Sequence, residues 1–271
     1  MLHKNMINSK YLDLSKYVQD FRSAEPFPHL ILDDFFKKSF FQKISEDLHK
    51  SNTKVKGKEF DSVVEKNKVI NLNNNLPRTI EKILSVLKTE SWINNLIKLT
   101  GITDLVADEG HNEVLSNFHE MSHSGFLGSH VDHSNHPTSE KKHVLNIIVY
   151  LSHDWKSDFG GNTLLFNKYG NKVKKLIDYI PNRLIIFLHT PYSFHGVDEL
   201  NPNKKQVRKT LYLDFYSELE NPYLHLSLPF KNHFFKHGTT FVFENKLKYL
   251  QPSNFNYTKT LLKYNINKHL L

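Results

Sequence analysis

Apolar and polar positions change their period near residue 105, and that change divides the expected elements. Before it, helices dominate. Phe40, Phe41, Ile44 and Leu48 recur at the spacing of one helix face and predict a helix over 40–48. Ile80, Ile83, Leu84 and Leu87, then Trp92, Ile93, Leu96 and Ile97, predict one or two amphipathic helices starting near Pro77 and stopping at Gly101. Ahead of these, a short helix is expected over 11–21 and a strand over 29–32, with Asp33 and Asp34 as a helix cap. Residues 51–75, rich in Lys and Asn, read as strand and loop. Beyond Leu105 come short apolar runs between turn residues, over 111–118, 126–131, 144–151, 162–166, 173–179, 183–188, 193–197 and 207–216. This spacing predicts a sandwich or jelly roll.

The expected fold is thus α+β and mainly β, in one domain over 1–271. Residues 1–110 give helical support, 111–216 the β core, and 217–271 an aromatic wrap with a helix over 257–271. The chain is long enough for such a unit, and its 39% hydrophobic residues supply a core. With no cysteine, disulfides and thiolate metal sites are excluded, so a bound metal must be held by His, Asp or Glu. The formal charge of +8 would suit a polyanion, but the lysines are scattered, with short runs such as Lys174-Lys175 and Lys204-Lys205, which argues against nucleic acid. No apolar run reaches membrane-span length and the start has no secretory core, so a cytoplasmic location is the default expectation and no membrane partner is expected.

The chemistry concentrates in GFLGSHVD, residues 125–132. His130 and Asp132 stand two apart in a β-prone segment, and alternate strand residues share a face, so an imidazole and a carboxylate can grip one ion from one side. His195, in PYSFHGV, is the best candidate for a third ligand. Two histidines and one carboxylate leave open positions on an octahedral ion, as in non-haem Fe(II) oxygenases. Downstream, RKTLYLDFY places Arg208, Thr210, Tyr212 and Asp214 on one strand face, and an arginine there suits a dicarboxylate co-substrate through two parallel charge-assisted bonds. Asn146 and Tyr150 add polar donors to the apolar run LNIIVYL. The further histidines 119, 123, 133, 136, 143 and 153 are read as clustering by chance in a chain with 17. HVDH lacks the preceding histidine of a zinc hydrolase motif, since position 128 is Gly.

These motifs resemble the 2-oxoglutarate and Fe(II)-dependent oxygenases of the prolyl 4-hydroxylase-like superfamily. The resemblance runs from PFPHLILDDFF through GFLGSHVDHSNHP, LNIIVYLSHDW, FGGNTLLF and SFHGV to RKTLYLDFY. It implies a double-stranded β-helix of jelly-roll or cupin-like type, with His130, Asp132 and His195 on Fe(II). It implies Arg208 on the distal carboxylate of 2-oxoglutarate, helped by Tyr150, Asn146 and Thr210. It also implies O2 as oxidant, with ascorbate as an accessory reductant. At about the place of Phe118, several relatives carry a tyrosine that touches the co-substrate; His143 lies near a position often held by arginine. The implied activity is a dioxygenase hydroxylating an unactivated C–H of a prolyl residue, amino acid or sugar-containing metabolite, so the partner is a small-molecule or peptidyl substrate. The competing readings are a nucleic-acid dealkylating oxygenase, whose relatives carry a second arginine where this chain has Asp214, and a non-catalytic β-sandwich binding module.

Overall fold

The computed structural model describes residues 3–50, 57–71, 76–108, 116–201, 206–219 and 239–242. In chain order the helices are α1 (His3–Met6), α2 (Val18–Ser23), α3 (Lys38–Lys50), α4 (Arg78–Leu87) and α5 (Glu90–Thr100). The strands are β1 (His29–Leu32), β2 (Gly57–Phe60), β3 (Glu65–Asn71), β4 (Val106–Ala107), β5 (Phe118–Val131), β6 (Lys142–Tyr150), β7 (Thr163–Phe166), β8 (Val173–Ile177), β9 (Leu184–Leu188), β10 (His195–Val197), β11 (Arg208–Ser217) and β12 (Thr240–Phe241). The expected stretches over 111–115 and 257–271 lie outside the described residues.

The helical expectations near 40–48 and 78–101 hold for physical reasons. The Thr89 side chain accepts a hydrogen bond from the Trp92 backbone at the start of α5, and Gly101 ends it in the left-handed region at φ 80°. The helix expected over 11–21 is instead two single 3-10 turns leading into α2. Asp33 and Asp34 do not cap α3, which starts at Lys38. Asp33 takes a two-pronged contact from Arg183, at 2.5 Å from Nε and 3.0 Å from Nη2, and so ties the end of β1 to the start of β9.

The strands form one continuous antiparallel system in the order β1-β9-β6-β11-β5-β10-β7-β8. β5 belongs to both halves. Its first residues pair with β11, from Leu211 opposite Phe118 to Arg208 opposite Met121. Its last residues pair with β10, where His195 faces His130. Between them Ser124 adopts φ 59°, and the strand turns from one layer into the other. This curl is the double-stranded β-helix.

Alternation splits the central strands between two cores. On β9, Leu184, Ile186 and Leu188 face the helices with Ile147 and Val149 of β6 and Leu211, Leu213 and Phe215 of β11. Their neighbours Ile185, Phe187, Ile148 and Tyr150 face inward between the layers. Burial on both faces is why LNIIVY and LIIFL read as unbroken apolar runs. The inner face is the one that carries the site.

His29, on β1, is buried, with Nδ1 2.8 Å from the Phe27 carbonyl and no partner for Nε2 among the described residues. Burial pulls its pKa down to about 4 from 6.5. The folded state therefore binds a proton less readily than the unfolded chain; its stability is full above pH 6.5 and is lost as pH falls towards 4. Across that window we expect His29 to remove about 3 kcal/mol of unfolding free energy. Urea midpoints measured against pH should show a shallower acid slope in His29→Phe; an identical slope would mean that burial leaves the His29 pKa where the unfolded chain has it.

Candidate active site

Strand geometry brings the three expected ligands together. His130 and His195 are direct cross-strand partners of β5 and β10, with ring centroids 4.2 Å apart. Asp132 follows the end of β5, its Oδ1 3.5 Å from His130 Nε2 and its Oδ2 3.4 Å from His195 Nε2. One donor atom from each lies within 4.8 Å of the others, and this is the single such group among the described residues. In both imidazoles Nδ1 faces a carbonyl, Gly128 at 2.8 Å and Ser193 at 3.0 Å. A proton on Nδ1 leaves each Nε2 lone pair free and turned towards the carboxylate.

The charge states suit a cation. Burial, with His130 beside it, pulls His195 down to about 4, so it is neutral at pH 7. Burial would raise the Asp132 carboxyl, but the imidazoles of His195 and then His130 outweigh it and hold it well below the usual carboxylate range. Asp132 Oδ2 also accepts from Tyr212 Oη at 2.7 Å and Asn146 Nδ2 at 3.0 Å. Burial, then Asp132 and Asp214, push the Tyr212 hydroxyl well above its ordinary value, so it remains a donor.

A cavity of about 410 Å³ opens from this cluster. Arg208 and Thr210 line it from β11, with Ile148, Thr163 and Val197 around them. Arg208 is buried; its Nε donates to the Gly161 carbonyl at 2.7 Å, and its guanidinium lies 5.4 Å from the Tyr150 ring and 5.1 Å from the Tyr179 ring. No carboxylate of the described residues pairs with it. Gly161 matters here: at φ 73°, a Cβ on it would stand 2.9 Å from Arg208 Cδ.

Tyr150 and Asn146 are placed differently from Arg208 and Thr210. The Tyr150 hydroxyl meets Thr163 Oγ1 at 2.5 Å and its ring backs the guanidinium, while Asn146 hydrogen-bonds both Asp132 and Tyr212. Neither lines the cavity. Phe118 packs in the helix-facing core, and its neighbour His119 takes the inward position, stacked on Tyr212 at 5.7 Å. Burial, then Lys68, pulls His119 down to about 3.

Four histidines read as chance neighbours or passed over form a layer behind the cluster of His130, Asp132 and His195. His133, His143 and His189 stack at 4.7 and 4.1 Å, and His136 sits edge-on to Tyr216. His143 Nε2 lies 3.1 Å from Asp214 Oδ1; burial would lower this imidazole, but Asp214 overrides it and raises the pKa. His189 Nε2 reaches the Asp132 carbonyl at 3.4 Å. Phe241, from the tail, is a further residue the sequence reading passed over. β12 pairs with the end of β5, and the Phe241 ring sits 5.3 Å from His130.

Residues 116–214, which hold the whole cluster, match the family model of the 2OG-Fe(II) oxygenase superfamily. That segment belongs to the 2OG-Fe(II) oxygenase superfamily. Among solved structures, this oxygenase is similar to a prolyl-4-hydroxylase from Pseudomonas putida, at 14% identity and TM-score 0.52 over 75% of this chain and 98% of that one. It is also similar to a prolyl hydroxylase from Trichoplax adhaerens in complex with a hypoxia inducible factor oxygen degradation domain peptide fragment, at 18% identity and TM-score 0.52 over 77% and 91%. At these identities the likeness establishes the double-stranded β-helix fold. No curated protein matches the chain. As a 2OG-Fe(II) oxygenase, the protein is a dioxygenase with Fe(II) as cofactor and 2-oxoglutarate as co-substrate. Among the described residues, no helix is long and apolar enough to cross a membrane.

Proposed function

We propose that His130, Asp132 and His195 hold the Fe(II), that Arg208 seats the distal carboxylate of 2-oxoglutarate, and that the enzyme hydroxylates an unactivated C–H of a prolyl residue, amino acid or sugar-containing metabolite. The observation that carries the reading is the convergence of two imidazoles and a carboxylate at one end of a cavity whose cationic anchor, Arg208, is buried without a carboxylate partner among the described residues. The donor set fits the metal: two imidazole nitrogens and one carboxylate, with no thiolate available.

The protein's part is positional. Gly128 and Ser193 carbonyls fix the imidazoles; Tyr212 and Asn146 hold Asp132 Oδ2, so that Oδ1 is the freer oxygen for the ion. The stacked rings of Tyr150 and Tyr179 flank the guanidinium on one side, and Thr210 offers a hydroxyl to the same cavity. Ile148, Val197 and Phe241 keep water away from the reacting end. Bound Fe(II) would supply the redox chemistry that couples decarboxylation of 2-oxoglutarate to insertion of one oxygen of O2 into the C–H bond. The balance is R–H, O2 and 2-oxoglutarate giving R–OH, succinate and CO2.

The peptide in the Trichoplax neighbour supports a peptidyl substrate, and a small molecule fits a cavity of this volume equally. The dealkylase reading has less support, because Asp214 is buried against His143 instead of offering a second cation. The helices pack on the sheet that carries the site, which supports 1–271 as one oxygenase unit. Anaerobic addition of Fe(II) and 2-oxoglutarate should produce a weak visible charge-transfer band, and admission of air should yield succinate. A binding module would give neither, and that result would overturn the proposal.

A further inference from the structure

Two cations face the cavity without a carboxylate partner among the described residues, and 2-oxoglutarate accounts for one of them, Arg208. The other is Lys58. β2 and β3 form a hairpin along the edge of β5 opposite β11. In its register Lys58 opposes Ile70 and Phe60 opposes Lys68; Ile70 and Lys68 in turn oppose His119 and Met121 of β5. His119 and Met121 oppose Thr210 and Arg208 across the other edge. Directly opposed residues of antiparallel strands share a face. Lys58, Phe60, Lys68 and Ile70 therefore continue the stripe that carries Arg208, and all four line the cavity.

The ammonium groups of Lys58 and Lys68 gather at one ring, 5.0 and 4.9 Å from the Phe60 centroid. Lys68 is balanced by Glu65 at 3.4 Å, and no carboxylate of the described residues pairs with Lys58. The remaining carboxylates of the wall are engaged: Glu120 with Lys209 at 3.6 Å, Asp214 with His143, and Asp132 in the metal cluster. A second anion is what would complete this end of the site.

The geometry points to a prime substrate that carries an anionic group, a carboxylate or a phosphate, seated by Lys58 and Lys68 with its adjoining carbon skeleton against Phe60 and Ile70. This rests on the reading above, in which the inner end of the cavity holds the metal and 2-oxoglutarate. The hairpin lies outside the 116–214 family match, so substrate choice would reside in a part of the chain separate from the reaction machinery.

The test uses the full chain, loaded anaerobically with Fe(II) and saturating 2-oxoglutarate. O-phosphoserine, N-acetylaspartate and the neutral N-acetylserinamide are titrated by calorimetry. At least one anion should bind about tenfold or more tightly than the neutral compound, and Lys58→Gln/Lys68→Gln should weaken it about tenfold. The affinity for 2-oxoglutarate should stay within about twofold in the variant, which also reports that the fold survives. Tighter phosphoserine binding would assign a phosphate, tighter N-acetylaspartate a carboxylate. Equal binding of the neutral compound, no binding of either anion, or an anion affinity unchanged in the double variant or in Lys58→Gln alone would overturn the inference. If the charge-transfer band never forms, the metal and co-substrate assignment fails instead.

Discussion

Asp132→Ala should lower succinate formation by about a thousandfold or more, a loss of about 4 kcal/mol of transition-state stabilisation. Asp132 is the one carboxylate among the three converging donors, and its removal leaves only imidazoles, which bring no negative charge to balance a divalent ion. It also leaves Tyr212 Oη and Asn146 Nδ2 buried without their shared acceptor. The fold should persist, since Asp132 stands beyond the end of β5 and the core clusters do not include it. Succinate quantified by NMR and Fe(II) or Mn(II) stoichiometry by calorimetry should fall together. Turnover retained at wild-type metal stoichiometry would remove the triad assignment.

Much of this site was legible because its parts obey strand periodicity. His130 and Asp132, two apart, and Arg208, Thr210 and Tyr212, alternating on β11, each share a face that the sequence pattern already implies. Tyr212 shows the limit of that reading: alternation placed it on the right face, but its bond to Asp132 depends on two strands meeting across the cavity. The runs 111–118 and 126–131 read as separate because Ser122, His123, Ser124 and Gly125 are polar or small. The structure carries Phe118–Val131 as one strand, since that polar stretch is where β5 turns between layers. The extra histidines carry no spacing that predicts a stack, because His143 and His189 meet only through the pairing of β6 with β9. Phe241 had no local signal either, as its contact with His130 comes from a tail strand added at the end of β5.

For Arg208→Lys, the expected result is a KM for 2-oxoglutarate raised about 30- to 150-fold with kcat little changed. Arg208 is held at two points: Nε donates to the Gly161 carbonyl, and the guanidinium lies beside the stacked Tyr150 and Tyr179 rings. That leaves the two Nη groups as a fork for one carboxylate. An ammonium keeps the charge but supplies a single point contact, loses the guanidinium's contact with the aromatic pair and abandons the Gly161 carbonyl, together about 2–3 kcal/mol. The loss belongs to binding and not to the chemical step, since the guanidinium sits at the end of the co-substrate remote from the metal cluster; the effect should therefore appear in KM. Steady-state succinate release against 2-oxoglutarate concentration measures it, with melting temperature as the control for packing against the two tyrosines. An unchanged KM would place the carboxylate anchor elsewhere on the wall, and the charged side chain next along the inner stripe is Lys68, which opposes Met121 in register with Arg208.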